Sequence, residues 1–110
     1  MRNLLGRVKQ WLLPVIGTKL MLSNCLAEVV PSSARRTAKV EFRNTGWADE
    51  LSMEWVLGDR RLLAYAESDE RDGVSIGVVM VEVGSACVTR AVSTRDEFQL
   101  ALEWLHAPGT

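Results

Sequence analysis

The chain has 110 residues, 47% of them apolar and 25% charged, a length that supports one hydrophobic core and a composition that excludes a disordered or polytopic membrane protein. Net charge is −1, but it is unevenly spread. Residues up to Arg43 carry eight basic and two acidic side chains, whereas the remainder carries five basic and twelve acidic ones.

Leu4, Leu5, Val8, Trp11 and Leu12 fall on one stripe of a helix, with Arg7, Lys9 and Gln10 outside it. Pro14 and Gly17 end or kink that helix. Leu22, Cys25, Leu26 and Val29 then share one face of a second helical pattern that stops before Pro31. Residues 1–30 are therefore expected to form a helical hairpin or a kinked helix.

The run "LLPVIGTKLMLSNC" also has the outline of a lipoprotein signal. A secretory signal needs a continuous apolar segment of roughly 7 to 15 residues, and Pro14, Gly17 and Lys19 interrupt this one. Asn24 stands where a small residue is expected before a lipidated cysteine. A membrane-spanning helix needs about 20 apolar residues without interruption. The run is thus expected to join the core of a cytoplasmic protein, the alternative being a membrane-associated or exported one.

The polar stretch "PSSARRT" reads as a loop. From Ala38 the period changes to two: Ala38, Val40 and Phe42 alternate with Lys39, Glu41 and Arg43. After the turn "NTG", Leu51, Met53, Trp55 and Leu57 alternate with Glu50, Ser52, Glu54 and Val56, and "GD" at Gly58 and Asp59 predicts a two-residue hairpin turn. That turn sets Trp55 opposite Leu62, Met53 opposite Ala64 and Leu51 opposite Ala66, with all six on one face. "ESDERDG" is a charged loop. "VSIGVVMVEV" is apolar on both alternating sets and predicts a central strand covered on both faces. A turn at Gly84 and Ser85 then sets Val81 opposite Val88 and Glu82 opposite Cys87.

"TRDE" at Thr94 to Glu97 is a capping box that opens a final helix, whose core stripe is Phe98, Ala101, Leu102 and Leu105. Leu100 and Trp104 lie off that stripe as a second apolar patch. The predicted architecture is one α+β domain over 1–110. It has helical residues 1–30, about five mostly antiparallel strands over 38–92, and a C-terminal helix over 94–106 packed on the sheet.

Residues that carry chemistry are sparse. One histidine and two distant cysteines without metal-ligand spacing predict no metal site. The acids Glu67, Asp69, Glu70 and Asp72 lack the alternation of a calcium loop and read as a solvated hairpin loop. His106 falls in the last helical turn, where a cation suits the helix dipole. Cys25 and Cys87 are expected to be buried, reduced thiols. No phosphate-binding glycine loop is present, and no cofactor is expected.

Arg35, Arg36, Lys39 and Arg43 form the one patch suited to an anionic partner. Aromatic residues interleaved on its outward face would favour nucleic acid, and they are missing, so nucleic-acid binding is not expected. Of four tryptophans, Trp11, Trp55 and Trp104 sit on regular elements, whereas Trp47 follows a polar turn. Trp47, Trp104 and Leu100 are the candidate contacts for a ligand or partner. The expectation is a non-enzymatic binding protein that self-associates into a homo-oligomer and binds a protein partner or a small apolar ligand. The alternative is a peripheral membrane or envelope protein held by its basic amphipathic N-terminal segment.

Overall fold

The computed structural model describes residues 17–44, 48–69 and 73–107. Helix α1 occupies described residues 17–29, followed by a single turn of helix, α2 (Ser32–Arg35). Five strands follow: β1 (Lys39–Asn44), β2 (Ala48–Leu57), β3 (Arg60–Asp69), β4 (Gly73–Glu82) and β5 (Val88–Ala91). Helix α3 (Arg95–His106) completes the chain order. The strands lie side by side in sequence order, every neighbouring pair antiparallel, which makes an α+β meander. The stripe expected at Leu4 to Leu12 and the break at Pro14 lie outside the described residues.

One face of the sheet carries the core. Leu51, Met53 and Trp55 of β2, Leu62, Ala64 and Ala66 of β3, and Val78 and Met80 of β4 are buried there with Leu22, Leu26 and Val29 of α1 and Phe98, Ala101 and Leu105 of α3. Burial of each large side chain in this layer is worth about 1.5–3 kcal/mol. The Trp55 and Phe98 rings meet at 5.5 Å with a tilt of 54°. Trp55 Nε1 also donates to the Ala34 carbonyl at 2.8 Å, so one side chain joins the sheet to both α2 and α3.

The β2–β3 register is Trp55 opposite Leu62, Met53 opposite Ala64 and Leu51 opposite Ala66, as the alternation requires. Gly58 takes a φ of 59° in the connecting turn, a conformation with little cost only for glycine. Helix α3 begins on the predicted capping box. Thr94 Oγ1 accepts from the Glu97 N–H at 3.2 Å, and the Glu97 carboxylate accepts from the Ser93 N–H and the Thr94 hydroxyl.

Beyond the expected loop "ESDERDG", of which Glu67 to Asp69 end β3 and Gly73 opens β4, four expectations change. "PSSARRT" contains the turn of helix α2, because extended Pro31 presents its carbonyl to the N–H groups of both Ala34 and Arg35 at 3.1 Å. The β4–β5 register is shifted by one residue, with Met80 and not Val81 opposite Val88. Gly84, at φ 83°, is the third residue of a turn closed by Ser85 N–H to the Glu82 carbonyl, the place where a type II turn requires glycine. Cys87 accordingly lies in the connection before β5 and is exposed; Cys25 is half-buried, and both are free thiols.

The fourth change concerns cover. Among the described residues both long helices pack on the same sheet face, and the reverse face of β4 has no helix over it. That reverse face is sheltered from within the sheet. Tyr65 stands directly opposite Gly77, and its ring lies so close that a Cβ on Gly77 would sit 2.5 Å from Tyr65 Oη and 2.8 Å from the Arg90 carbonyl oxygen. A Gly77→Ala substitution must therefore displace the β5 backbone as well as the tyrosine. It is expected to lose about 1–3 kcal/mol of stability in chemical denaturation, and an unchanged midpoint would refute this packing.

Candidate functional site

Helix α3 positions the site. Its buried stripe of Phe98, Ala101 and Leu105 presses on the sheet, with Leu102 partly buried beside it. A helix surface holds about 3.6 residues per turn, so the side chains one step around from that stripe, Leu100 and Trp104, emerge on the flank facing β5. Leu100 is 62% exposed, and Trp104 is half-buried.

Together with Val78 and Met80 of β4 and Ala101, these two line a groove of 180 Å³ between α3 and the β4–β5 margin. Arg90 on β5 and Glu97 in the first turn of α3 supply its charge. The structure thus brings Leu100 and Trp104 into one site. Trp47 lies outside the described residues.

The far end of α3 is fixed by a residue the sequence does not single out. Arg60, its side chain 16% exposed, donates from Nη1 to the Trp104 and Ala107 carbonyl oxygens, the latter at 3.1 Å. Its Nε is 3.3 Å from Glu82 Oε2, and the guanidinium lies over the Trp104 ring, 5.0 Å from the centroid. One planar cation therefore adds donors to a carbonyl of the last helical turn and to that of the C-cap, complements the negative end of the helix dipole and covers an aromatic face. Arg95 does related work at the end of α1, donating to the Glu28 and Ala27 carbonyls at 3.1 and 3.4 Å. In sequence Arg60 is an ordinary polar residue after a turn; only the fold reveals that it faces α3.

The basic candidates occupy a different region. Arg35 belongs to α2, Arg36 is its C-cap, and Lys39 and Arg43 are exposed on β1. Acids of β2 stand opposite: Glu54 across from Lys39 and Glu50 across from Arg43. Arg43 Nε is 3.2 Å from Glu41 Oε1, and that hydrogen bond, then the Glu41 charge, raises the guanidinium pKa above its ordinary value. Across this margin of the sheet, basic residues of the first part of the chain are thus interleaved with acids of the second. Arg35 Nε is buried and has no hydrogen-bond partner among the described residues.

Two further depressions flank the C-terminal end of α3. One of 290 Å³ is lined by Ala34, Trp55, Val56, Leu57 and Leu102 among others, and one of 330 Å³ by Arg60, Glu82 and the 58–59 turn. In the latter, Arg60 is already engaged with α3. His106 borders both, and its exposed ring donates from Nδ1 to the Leu102 carbonyl at 2.9 Å, a contact within its own helix. Among the described residues no group of three or more His, Cys, Asp or Glu side chains converges on a common point. Of the acidic loop, residues 70–72 lie outside the described residues. No helix among the described residues is long and apolar enough to cross a membrane.

Because a lysine cannot reproduce the planar stack and the paired donors of Arg60, Arg60→Lys is expected to lower stability by about 1–2 kcal/mol. Hydrogen exchange should show the loss concentrated in the last turn of α3. Equal protection in both proteins would show that Arg60 does not hold that turn. Comparison with protein-family models, with curated proteins and with solved structures finds no match to this chain.

Proposed function

We propose that this is a non-enzymatic binding protein whose groove between α3 and the β4–β5 margin receives apolar side chains of a polypeptide. One observation carries this: Leu100, 62% exposed, stands beside Trp104 in a groove floored by Val78, Met80 and Ala101 and bordered by Arg90 and Glu97. Water is displaced from leucine and tryptophan surface on binding, and the charged pair at the border orients the incoming chain. Affinity then comes from shape and burial.

The groove volume, 180 Å³, favours a polypeptide over a free small apolar ligand. Pockets for small molecules typically enclose about 300–1,000 Å³, whereas a leucine or phenylalanine side chain needs much less. Tryptophan in the wall of a groove is a common energetic anchor of protein interfaces. Self-association uses the same kind of surface, and a reducing compartment, the cytoplasm, suits two unbridged thiols.

Selection of random peptides displayed on phage against the full chain tests the groove. Peptides with one or two large apolar residues should be enriched, and Leu100→Asp should abolish their capture. Because Leu100 is exposed, that substitution should leave stability within about 0.5 kcal/mol. Absence of enrichment, or enrichment indifferent to Leu100→Asp, would reject the proposal.

A further inference from the structure

Strand β5 is one edge of the sheet. The Val92 N–H donates to the Ile76 carbonyl at 3.0 Å, and Val92 continues the register in which Arg90 faces Val78 and Val88 faces Met80. In an antiparallel pair, alternate residues direct both backbone groups to the same neighbour. Arg90 and Val88 therefore address β4, and the N–H and C=O groups of Thr89 and Ala91 point outward. All four residues of β5 are exposed, and no strand among the described residues pairs with that side.

We infer that this edge pairs with the β5 edge of a second copy, joining two meanders into one ten-stranded sheet; the inference rests on the proposed groove and names its partner. Three features select a second copy. A twofold axis requires a self-complementary patch, and this one holds a cation, Arg90, and an anion, Glu97, on the walls of the same groove without an ion pair between them within the protomer. Both capping bonds of Glu97 use Oε1, and neither uses Oε2. The opposite edge, β1, displays Lys39, Glu41 and Arg43, the charged dressing that discourages strand addition. Pairing of β5 with β5 closes at two copies, whereas β1 with β5 would grow an open filament.

The register follows from charge. Outward residues must pair with outward residues, and a centre at Arg90 would set the two guanidinium groups directly opposite, which is unfavourable. A centre at Ala91 avoids this. It places Arg90 opposite Val92 of the second copy, beside the Ser93 N–H that the second Glu97 caps. Leu100 and Trp104 of the two copies then flank one continuous cleft. Four paired residues alone make a small interface, so the contact from α3 is required and the dimer is expected to be weak, with a dissociation constant in the micromolar range.

Sedimentation equilibrium of the full chain tests this directly. The native chain should dimerise, and Thr89→Pro, which removes an outward donor and no bond to β4, should weaken the dimer at least tenfold with an unchanged unfolding midpoint. A second measurement does not depend on that variant folding. In a Cys25→Ser, Cys87→Ser background, Ala91→Cys should form a disulfide-linked dimer on mild oxidation, since antiparallel partners bring Cα atoms to about 5.5 Å. Glu41→Cys on the other edge should not. A monomer at all concentrations, or equal cross-linking at both edges, would overturn the inference while leaving peptide capture by the groove to be judged on its own. A dimer indifferent to Thr89→Pro, with no Ala91→Cys cross-link, would overturn edge pairing alone.

Discussion

Everything in this fold depends on covering one face of a five-stranded meander, and Trp55 is where that cover is fastened. Its ring meets Phe98 of α3, and its indole N–H holds the Ala34 carbonyl at the end of α2. A tryptophan is suited to this because it combines a large apolar area with one polar group that must find a partner when buried. With Trp55 satisfied, α1 and α3 lie over the same layer of Leu51, Met53, Leu62 and Ala64. Replacing it with a smaller apolar residue would leave a cavity against Phe98 and remove the sheet's hydrogen bond to α2, while the Ala34 carbonyl kept its bonds from the Thr37 N–H and hydroxyl.

The helices themselves are finished by arginines from elsewhere in the chain. An α-helix leaves its last four carbonyls without internal partners, and here Arg95 reaches the end of α1 while Arg60 reaches the end of α3. Each guanidinium links a helix terminus to another element, so helix capping and tertiary packing are one set of bonds. The Arg60 stack on Trp104 extends this to the candidate site. It holds the tryptophan at one edge of the groove, and the site is therefore built on a rigid helix rather than on a loop.

Much of this architecture was legible in the residues, and the exceptions have physical causes. The β2–β3 pairing was readable because the two-residue turn at Gly58 and Asp59 fixes a register that puts six apolar residues on one face. The capping box at Thr94 and the stripe from Phe98 to Leu105 were readable because helix spacing separates them from Leu100 and Trp104. "VSIGVVMVEV" resisted because its alternating sets are both apolar, so neither its register with β5 nor its degree of cover could be chosen by pattern. Val79 and Val81 face the side without a helix and are only half-buried. What shelters that side at Gly77 is a cross-strand tyrosine, a contact between residues twelve apart that no local pattern encodes. Arg60 and Arg90 were missed for the same reason: their roles exist only once distant elements meet.

The two edges of the sheet differ in their chemistry. At β1, Lys39 and Arg43 stand opposite Glu54 and Glu50, so opposite charges from the two parts of the chain are interleaved at the margin. These side chains are not ion-paired across the strands, Arg43 bonding Glu41 and Glu54 bonding Arg61, so they contribute little to stability. Their effect is to make that edge a poor template for another strand. At β5 the arrangement differs: the strand is short and carries one charge, and its covered face borders an apolar groove. A strand end with unpaired backbone groups beside exposed leucine is a liability in a protein that has no use for it. Among the described residues both features lie on one margin while the other is charged, and on that asymmetry the proposed pairing rests.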